Sequence, residues 1–288
     1  MNVFFVSNST CYYFTPCLFG MLNEVGLGDC KLALVYYGGC SVQQHCEWLR
    51  DDLPNYQFRV IDRDGLHIYP QYSLKQALST DKWDVISFDN NSKSFASGDM
   101  KTALTITEPY FNELFGKVKE MHPNARYIWH EVWANEVGYT ISFEMKDKAQ
   151  RSSIFKAKQD LMYHMMNEYS LDGAPTGDAW EKVRDLPIIT TPMPDFSKEE
   201  KFTLCSRIKN GKFIDDFTHD GDIGGGQYLN ACVWFETLTG KSCIGNAFRP
   251  KFTYNEKELS LGEEKIRILQ NAAHEAVKEH LNKIKPML

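Results

Sequence analysis

The stretch Val3-Phe4-Phe5-Val6-Ser7, followed by Thr15-Pro16, decides the start of the fold. The first five residues are typical of a short buried strand. Thr15-Pro16 supplies a helix N-cap and a first helical residue, and the apolar residues after it recur at helical spacing: Leu18, Met21, Leu22 and Val25. The chain therefore begins with a strand that leads into a helix.

This order of strand and helix recurs along the chain. Three further strands are predicted at residues 31–37, 83–88 and 126–132, and the helices that follow them at 41–52, 108–121 and 146–169. Because each right-handed crossover must return over the sheet, the alternation indicates a parallel sheet with helices on both faces. We predict one α/β domain that spans residues 1–288.

Three segments depart from the alternation. Residues 57–69 are predicted to insert a hairpin around Asp64-Gly65, a dipeptide typical of tight turns. Residues 186–212 are rich in Pro, Thr and Lys and are expected to form an irregular surface excursion. A C-terminal helix is predicted over 260–285, since Ser260 and Glu263 form a capping box ahead of an apolar stripe.

Composition limits the partners of the protein. The 288 residues carry a net charge of −6 and contain no block of Lys and Arg, so nucleic acid and anionic membrane are not expected as main partners. No apolar run reaches the roughly 18 residues of a membrane span. The sequence starts without a visible signal peptide, and we expect a cytoplasmic protein, or a periplasmic or secreted one if an exported chain has been trimmed.

The eight cysteines do not indicate a metal site or a disulfide framework. They include no Cys-x-x-Cys pair and several lie in apolar runs, so we expect free and mostly buried thiols. The eight histidines are scattered, and none forms a short metal-ligand pair with another His or with Cys. No bound metal is predicted.

A serine and an Asp-x-x-His segment carry the chemical prediction. Ser9 follows the first strand, and Asp216 and His219 precede a late helix. A serine hydroxyl becomes a good nucleophile when an imidazole accepts its proton and a carboxylate orients that imidazole. Each part has an ordinary alternative, an N-cap serine or a solvated loop pair. Together they suggest an enzyme that cleaves esters.

Further candidates follow neighbouring strands. The backbone N–H of Gly39 and the side-chain amide of Asn90 are candidate donors to an oxyanion hole. A strand terminator at Gly38-Gly39 and a turn at Asn90-Asn91 are the ordinary alternatives. His130 at the end of the fourth strand, Trp133 just after it, and Asn91 are possible substrate contacts. A histidine held by local hydrogen bonds and a packed tryptophan are the competing interpretations.

The order of these blocks resembles the SGNH (GDSL-like) hydrolase superfamily, and more closely a bacterial group within it known as a domain of unknown function. The resemblance covers about residues 3–246 and rests on the following segments: Val6-Ser7-Asn8-Ser9, Gly38-Gly39-Cys40-Ser41 with His45, Trp83-Asp84-Val85-Ile86 leading to Ser92 and Ser97-Gly98, His130 with Trp133-Ala134, Thr176-Gly177-Asp178-Ala179 before Arg184, Asp216 to His219, Tyr228-Leu229, and Cys232-Val233-Trp234-Phe235-Glu236.

The resemblance implies a three-layer α/β/α flavodoxin-like sandwich and hydrolysis of O-acyl esters, often acetyl groups on carbohydrate, without a metal or organic cofactor. It implies Ser9 as nucleophile, His219 as base and Asp216 as its orienting carboxylate. It also implies an oxyanion hole formed by the Ser9 N–H, Gly39 and Asn90, with Asn91 as the alternative to Asn90. Two positions depart from the family pattern. Ser7 replaces a glycine, and Asp89-Asn90 replaces two glutamines.

The expected function is therefore that of a serine esterase acting on a small-molecule or glycan ester through an acyl-enzyme. An O-acyltransferase would use the same triad. A non-catalytic carbohydrate-binding or scaffolding protein that kept the fold is a further alternative, motivated by Ser7 and the altered Asn region. A thiol hydrolase that uses Cys11 is the remaining one.

Overall fold

The structure is a computed structural model that describes residues 1–140, 144–189, 200–204, 206–210, 212–216, 224–254 and 257–284. Its centre is a seven-stranded sheet in the order β4-β3-β2-β1-β5-β6-β7. The strands are β1 (Asn2–Val6), β2 (Lys31–Tyr36), β3 (Tyr56–Asp62), β4 (Gly65–Tyr72), β5 (Val85–Phe88), β6 (Arg126–His130) and β7 (Asp172–Ala174).

Five of these strands are parallel and form the order β2-β1-β5-β6-β7. In chain order these are the second, first, third, fourth and fifth parallel strands, which is the flavodoxin-like arrangement. β3 and β4 extend the sheet antiparallel to β2. The sheet is thus mostly parallel, with a hairpin at one edge.

Nine helices lie within the described residues, and most of them cover the two faces of the sheet. They are α1 (Ser9–Tyr12), α2 (Thr15–Glu24), α3 (Val42–Arg50), α4 (Leu74–Leu78), α5 (Met100–Met121), α6 (Lys148–Tyr169), α7 (Thr176–Val183), α8 (Gly226–Thr239) and α9 (Glu263–Ile284).

The side chains of β1 alternate between two hydrophobic cores, as the strand period of two requires. Val3 and Phe5 pack in one core with apolar residues of α2, α7, α8 and α9. Phe4 and Val6 pack in the other with residues of α3, α4, α5 and α6. The predicted three-layer α/β/α flavodoxin-like sandwich is confirmed.

The helix α5 begins eight residues before the predicted start at Glu108. The Asp99 side chain caps it by accepting hydrogen bonds from the backbone N–H groups of Lys101 and Thr102, at 3.1 and 2.9 Å. Pro109, a residue that usually marks the first turn of a helix, lies inside α5. The start of α5 is therefore determined by the cap at Asp99 and not by Pro109.

Part of the segment 186–212, predicted to be irregular, forms strands. β8 (Glu200–Phe202), β9 (Ser206–Lys209) and β10 (Lys212–Asp216) build a small antiparallel sheet in the order β10-β9-β8. These strands are three to five residues long and rich in lysine, so they lack the apolar alternation by which a strand is recognised. β11 (Phe252–Tyr254) and β12 (Lys257–Leu259) form a second small sheet.

The seven cysteines within the described residues are free thiols, and six of them are buried. Across those same residues, none of the helices is long and apolar enough to cross a membrane.

Candidate active site

The carboxyl ends of the parallel strands meet at one edge of the sheet, and Ser9 lies there. Asn8 is the N-cap of α1, and its side-chain Oδ1 accepts a hydrogen bond from the Thr10 backbone N–H at 3.0 Å. Ser9 is the first residue of α1 and is half-buried, whereas Ser7, Asn8 and Cys11 are buried. The turn after β1 therefore leaves the Ser9 side chain partly accessible.

The other side chains of the Ser7–Cys11 turn converge on Asp89, the residue that follows β5. The hydroxyls of Ser7 and Thr10 both donate to Asp89 Oδ2. The Cys11 thiol lies 3.7 Å from the same oxygen, and the Asn8 amide donates to Oδ1 at 3.3 Å. Four of the five side chains in the turn thus contact one carboxyl group, and Ser9 does not take part.

Asp89 is itself enclosed. Its side chain is 3% exposed, and burial raises the pKa of the carboxyl to about 6, although the hydrogen bonds from Ser7, Thr10 and Cys11 act in the opposite direction. Ser7 and Asp89 are positions at which the sequence departs from the family pattern. The structure shows that these two residues contact each other.

The loop after β2 adjoins this turn. Asn8 Nδ2 donates to the Cys40 carbonyl at 3.2 Å, and Asn91 Nδ2 donates to the Gly39 carbonyl at 3.1 Å. Gly39 is exposed and has a φ of +66°, a conformation that favours glycine. Gly39 and Asn91 are thus brought together, next to the turn that carries Ser9.

Asn90 is placed differently from Asn91. Its Nδ2 donates to Thr107 Oγ1 of α5 at 2.6 Å, and its Oδ1 accepts from the Ser94 hydroxyl at 3.0 Å. Both ends of this amide are therefore engaged in buried contacts. The Asn91 amide is engaged at both ends too, since its Oδ1 accepts from the Ser94 hydroxyl at 3.3 Å. Of the two asparagines, Asn91 is the one that contacts the Gly39 loop.

Of the predicted base His219 and its orienting carboxylate Asp216, the structure describes only the second. Asp216 is the last residue of β10, where its backbone pairs with Ser206 of β9. His219 lies outside the described residues. The geometry of the proposed triad therefore stays a prediction from the sequence.

The structure encloses His130 and Trp133, two of the three possible substrate contacts. The His130 ring is fully buried, with Phe14 and Trp234 stacked near it at centroid distances of 5.7 and 5.8 Å, and its Nδ1 accepts from the Trp234 indole N–H at 2.8 Å. Burial lowers the pKa of His130 to about 3. Trp133 stacks on Trp180 at 4.3 Å with both rings nearly parallel. Substrate could touch either ring only by displacing packed side chains.

Two buried charged residues near the site were not predicted from the sequence. Asp89 directly follows the apolar strand β5, and a carboxylate at the end of a buried strand could have indicated a functional position from the sequence. Lys158 lies among the buried residues Ile154, Ala157, Leu161 and Met162 of α6, and its ammonium donates to the Trp133 carbonyl at 2.8 Å. Desolvation lowers the pKa of Lys158 to about 7.

Within the described residues, no group of three or more His, Cys, Asp or Glu side chains could hold a metal ion.

Comparison with known proteins gives a family. The family model named "Domain of unknown function (DUF4886)" matches residues 28–276. The chain belongs to this family. A search of the curated proteins finds no match.

Solved structures agree with this assignment at the level of the fold. A DUF4886 family protein from Bacteroides uniformis is 20% identical, with 96% of this chain and 95% of the other covered and a TM-score of 0.70. A gut microbial diltiazem-metabolizing enzyme is 11% identical over 82% of this chain and 46% of its own, with a TM-score of 0.48. A GDSL-like lipase candidate from Parabacteroides merdae is 14% identical over 83% and 95%, with a TM-score of 0.47. The first likeness shows the fold; the other two are too distant to add to it.

Proposed function

We propose that the protein is a serine hydrolase that cleaves short O-acyl esters, acetyl esters of a carbohydrate or a related small molecule in particular. One observation carries the proposal. Within the Ser7–Cys11 turn, the side chains of Ser7, Asn8, Thr10 and Cys11 contact Asp89, whereas Ser9 is half-buried and next to Asn8, whose amide contacts the loop of Gly39. A nucleophile needs this combination of a fixed backbone and an accessible hydroxyl.

The proposed reaction begins when Ser9 Oγ attacks the ester carbonyl carbon and His219 accepts the hydroxyl proton. Asp216 holds the imidazole and stabilises its protonated form. The negative charge on the carbonyl oxygen is stabilised by the backbone N–H groups of Ser9 and Gly39 and by an asparagine amide. The bond between the carbonyl carbon and the alcohol oxygen then breaks as His219 gives its proton to the alcohol oxygen.

In the second half of the reaction, water attacks the acyl group on Ser9 with His219 as base, which releases the carboxylic acid and restores the hydroxyl. An O-acyltransferase would replace that water with a second alcohol. We propose Asn91 as the asparagine donor, since its amide contacts the Gly39 loop while that of Asn90 is turned toward Thr107.

The structure counts against Cys11 as an alternative nucleophile. Its thiol is fully buried, and both burial and the adjacent Asp89 carboxylate raise the pKa of the Cys11 thiol. A reactive cysteine needs the opposite setting, an electropositive and partly open one in which the thiolate forms easily.

Hydrolysis of p-nitrophenyl acetate tests the proposal. We expect Ser9→Ala to lower kcat by about 10³-fold or more, as loss of such nucleophiles generally does. Ser79→Ala is the matched control, because Ser79 is an exposed serine at the end of α4 whose hydroxyl contacts Lys75. A fluorophosphonate probe should label Ser9 stoichiometrically in the wild-type protein.

Turnover that survives Ser9→Ala would refute this mechanism. Glycan binding without any labelling by the probe would instead identify a non-catalytic protein that kept the fold. Release of p-nitrophenol only in the presence of an acceptor sugar, with the acetyl group recovered on the sugar and not as acetate, would identify an acyltransferase.

A further inference from the structure

Asp89 is in an unusual position for a buried carboxylate, because its partners are hydroxyl, amide and thiol groups rather than a basic side chain. Ser7 and Thr10 donate to Oδ2, and Asn8 donates to Oδ1 at 3.3 Å. Asn8 also donates to the Cys40 carbonyl, so the same contacts reach the loop that carries Gly39. The ends of β1, β2 and β5 are thereby connected through one side chain.

We propose that Asp89 is a positioning residue whose carboxylate, by accepting hydrogen bonds from Ser7, Asn8 and Thr10, holds Ser9 in the orientation from which it attacks the ester. The inference deepens the proposed function and rests on it. Ser9 lies between two of the restrained residues, Asn8 and Thr10, and its own side chain makes no contact with Asp89. Restraint on both sides leaves the Ser9 backbone little freedom.

The negative charge of Asp89 matters for this role. A carboxylate offers about four lone-pair positions and no hydrogen, so it can accept from several donors together. Hydrogen bonds to an ionised acceptor are also about twice as strong as those between neutral groups. An asparagine at position 89 would keep one carbonyl oxygen but would turn an NH₂ group toward some of the same donors.

The titratable groups around Asp89 come from three elements. Cys11 lies on α1, Cys40 follows β2, and Lys158 lies on α6, where its ammonium donates to the Trp133 carbonyl and its charge lowers the pKa of Asp89. Burial raises the pKa of both thiols, so they stay neutral near pH 7. Because the pKa of Asp89 is raised to about 6, the carboxylate form that accepts these hydrogen bonds is present above pH 6 and is lost as the pH falls below it.

The test is to measure kcat and KM on p-nitrophenyl acetate for Asp89→Asn, with Asp99→Asn as the matched control. Asp99 is also a carboxylate that accepts several hydrogen bonds, at the start of α5. We expect Asp89→Asn to lower kcat by about 10- to 100-fold with KM within twofold, the size expected when reacting groups are misplaced by about 1 Å. Asp99→Asn should leave both constants within twofold.

A pH series separates positioning from general damage to the fold. The ratio of wild-type to Asp89→Asn kcat should be largest above pH 7 and should shrink toward pH 5, because protonated Asp89 resembles the amide. The contribution of the base His219 cancels in this ratio. A ratio that is constant from pH 5 to pH 8 would overturn the inference.

The double variant Ser7→Ala/Thr10→Val keeps the inference testable if Asp89→Asn does not fold. It removes two donors and keeps the carboxyl group, so kcat should fall at least about fivefold with KM within twofold. Unchanged kcat in the double variant, or in a folded Asp89→Asn, together with loss of turnover in Ser9→Ala, would overturn this inference alone. Turnover retained in Ser9→Ala would overturn the proposed function and this inference with it.

Discussion

Two groups of polar residues lie near the carboxyl ends of the parallel strands, and they differ in how accessible their side chains are to solvent. The Ser9 region (Ser9, Gly39 and Asn91) follows β1, β2 and β5 and contains the half-buried Ser9 and the exposed Gly39. The β6 cluster follows β6 and comprises the buried side chains of His130, Glu131, Glu136, Lys158 and Arg184.

The polar groups of the β6 cluster make hydrogen bonds that hold the surrounding backbone in place. Glu131 accepts a hydrogen bond from the Asp178 backbone N–H at 3.0 Å, at the start of α7. Arg184 donates to the Ala134 carbonyl at 2.6 Å, and Lys158 donates to the Trp133 carbonyl at 2.8 Å. These contacts fix the segment after β6. A polar residue at a strand end is therefore a candidate for chemistry only when its reactive atom also remains accessible.

The largest expected effect is that of His219→Ala, which tests whether the Ser9 region is catalytic. Without a base to accept the Ser9 proton, we expect kcat on p-nitrophenyl acetate to fall by about 10³-fold or more. The melting temperature should change little. His67→Ala, on the half-exposed side of the edge strand β4, is the control and should keep full turnover. Equal activity of the two variants would remove His219 from the mechanism.

Arg184→Met tests the structural role of the β6 cluster. The Arg184 side chain is fully buried and pairs with Glu181 at 2.7 Å and Glu136 at 3.5 Å. Breaking a buried ion pair leaves uncompensated charge, so urea titration should show a loss of about 3–5 kcal/mol in the free energy of unfolding. Arg63→Met, at a mostly exposed pair with Asp29, should cost less than about 1 kcal/mol.

The folded Arg184→Met protein should keep kcat within about threefold of wild type, because the cluster does not touch the reacting atoms. A loss of kcat as large as that of His219→Ala would erase the distinction between the two regions.

The variants Asn91→Ala and Asn90→Ala test which of the two asparagines belongs to the Ser9 region. If Asn91 donates to the oxyanion, its removal should lower kcat by about 10²-fold, as loss of one such donor does. Asn90→Ala should instead lower stability by about 1–3 kcal/mol, since its amide is buried against Thr107 and Ser94. The reverse pattern, with kcat lost in Asn90→Ala, would assign the oxyanion donor to Asn90.

Sequence patterns predicted the layered fold because its core strands and helices carry strong periodic signals. The parallel strands β1, β2, β5 and β6 contain short apolar runs, and the stripe of α2 recurs at helical spacing. The fifth parallel strand, β7, has only the three residues Asp172-Gly173-Ala174 and was not predicted. β8, β9 and β10 carry no such signal, and the start of α5 depends on one capping residue, Asp99. Local hydrogen bonds determine these short strands and this helix boundary, so they cannot be predicted from the spacing of apolar residues.

For the candidate site, the sequence predicted positions along the chain but not which groups are enclosed. Ser9, Gly39, Asn90 and Asn91 follow strands and His130 is the last residue of one, as predicted. The burial of His130 depends on Phe14 and Trp234, which are distant in the chain, and the contact of Asn91 with Gly39 depends on how two loops meet. Such contacts between distant segments cannot be derived from local sequence patterns.

The smallest expected effect, that of His130→Phe, sharpens the comparison through its dependence on pH. At pH 7.5 the variant should lose about 1–3 kcal/mol of unfolding free energy, because the Trp234 indole N–H is left without its acceptor. Wild-type His130 has a pKa of about 3 in the folded protein, against about 6.5 in an unfolded chain. As the pH falls below 6.5 the unfolded chain therefore binds a proton that the folded protein excludes, and the wild type loses stability that the variant does not lose.

The difference in unfolding free energy between wild type and His130→Phe should consequently shrink by about 2 kcal/mol between pH 7.5 and pH 5, as measured by urea titration at each pH. His45 and His280 are also buried with lowered pKa values, so part of the acid sensitivity should remain in the variant. Trp234→Phe is the control. It removes the donor but leaves His130 enclosed, and its pH dependence should match that of wild type. Parallel curves for wild type and His130→Phe would mean that the His130 ring is accessible to protons, which would return it to the set of possible substrate contacts.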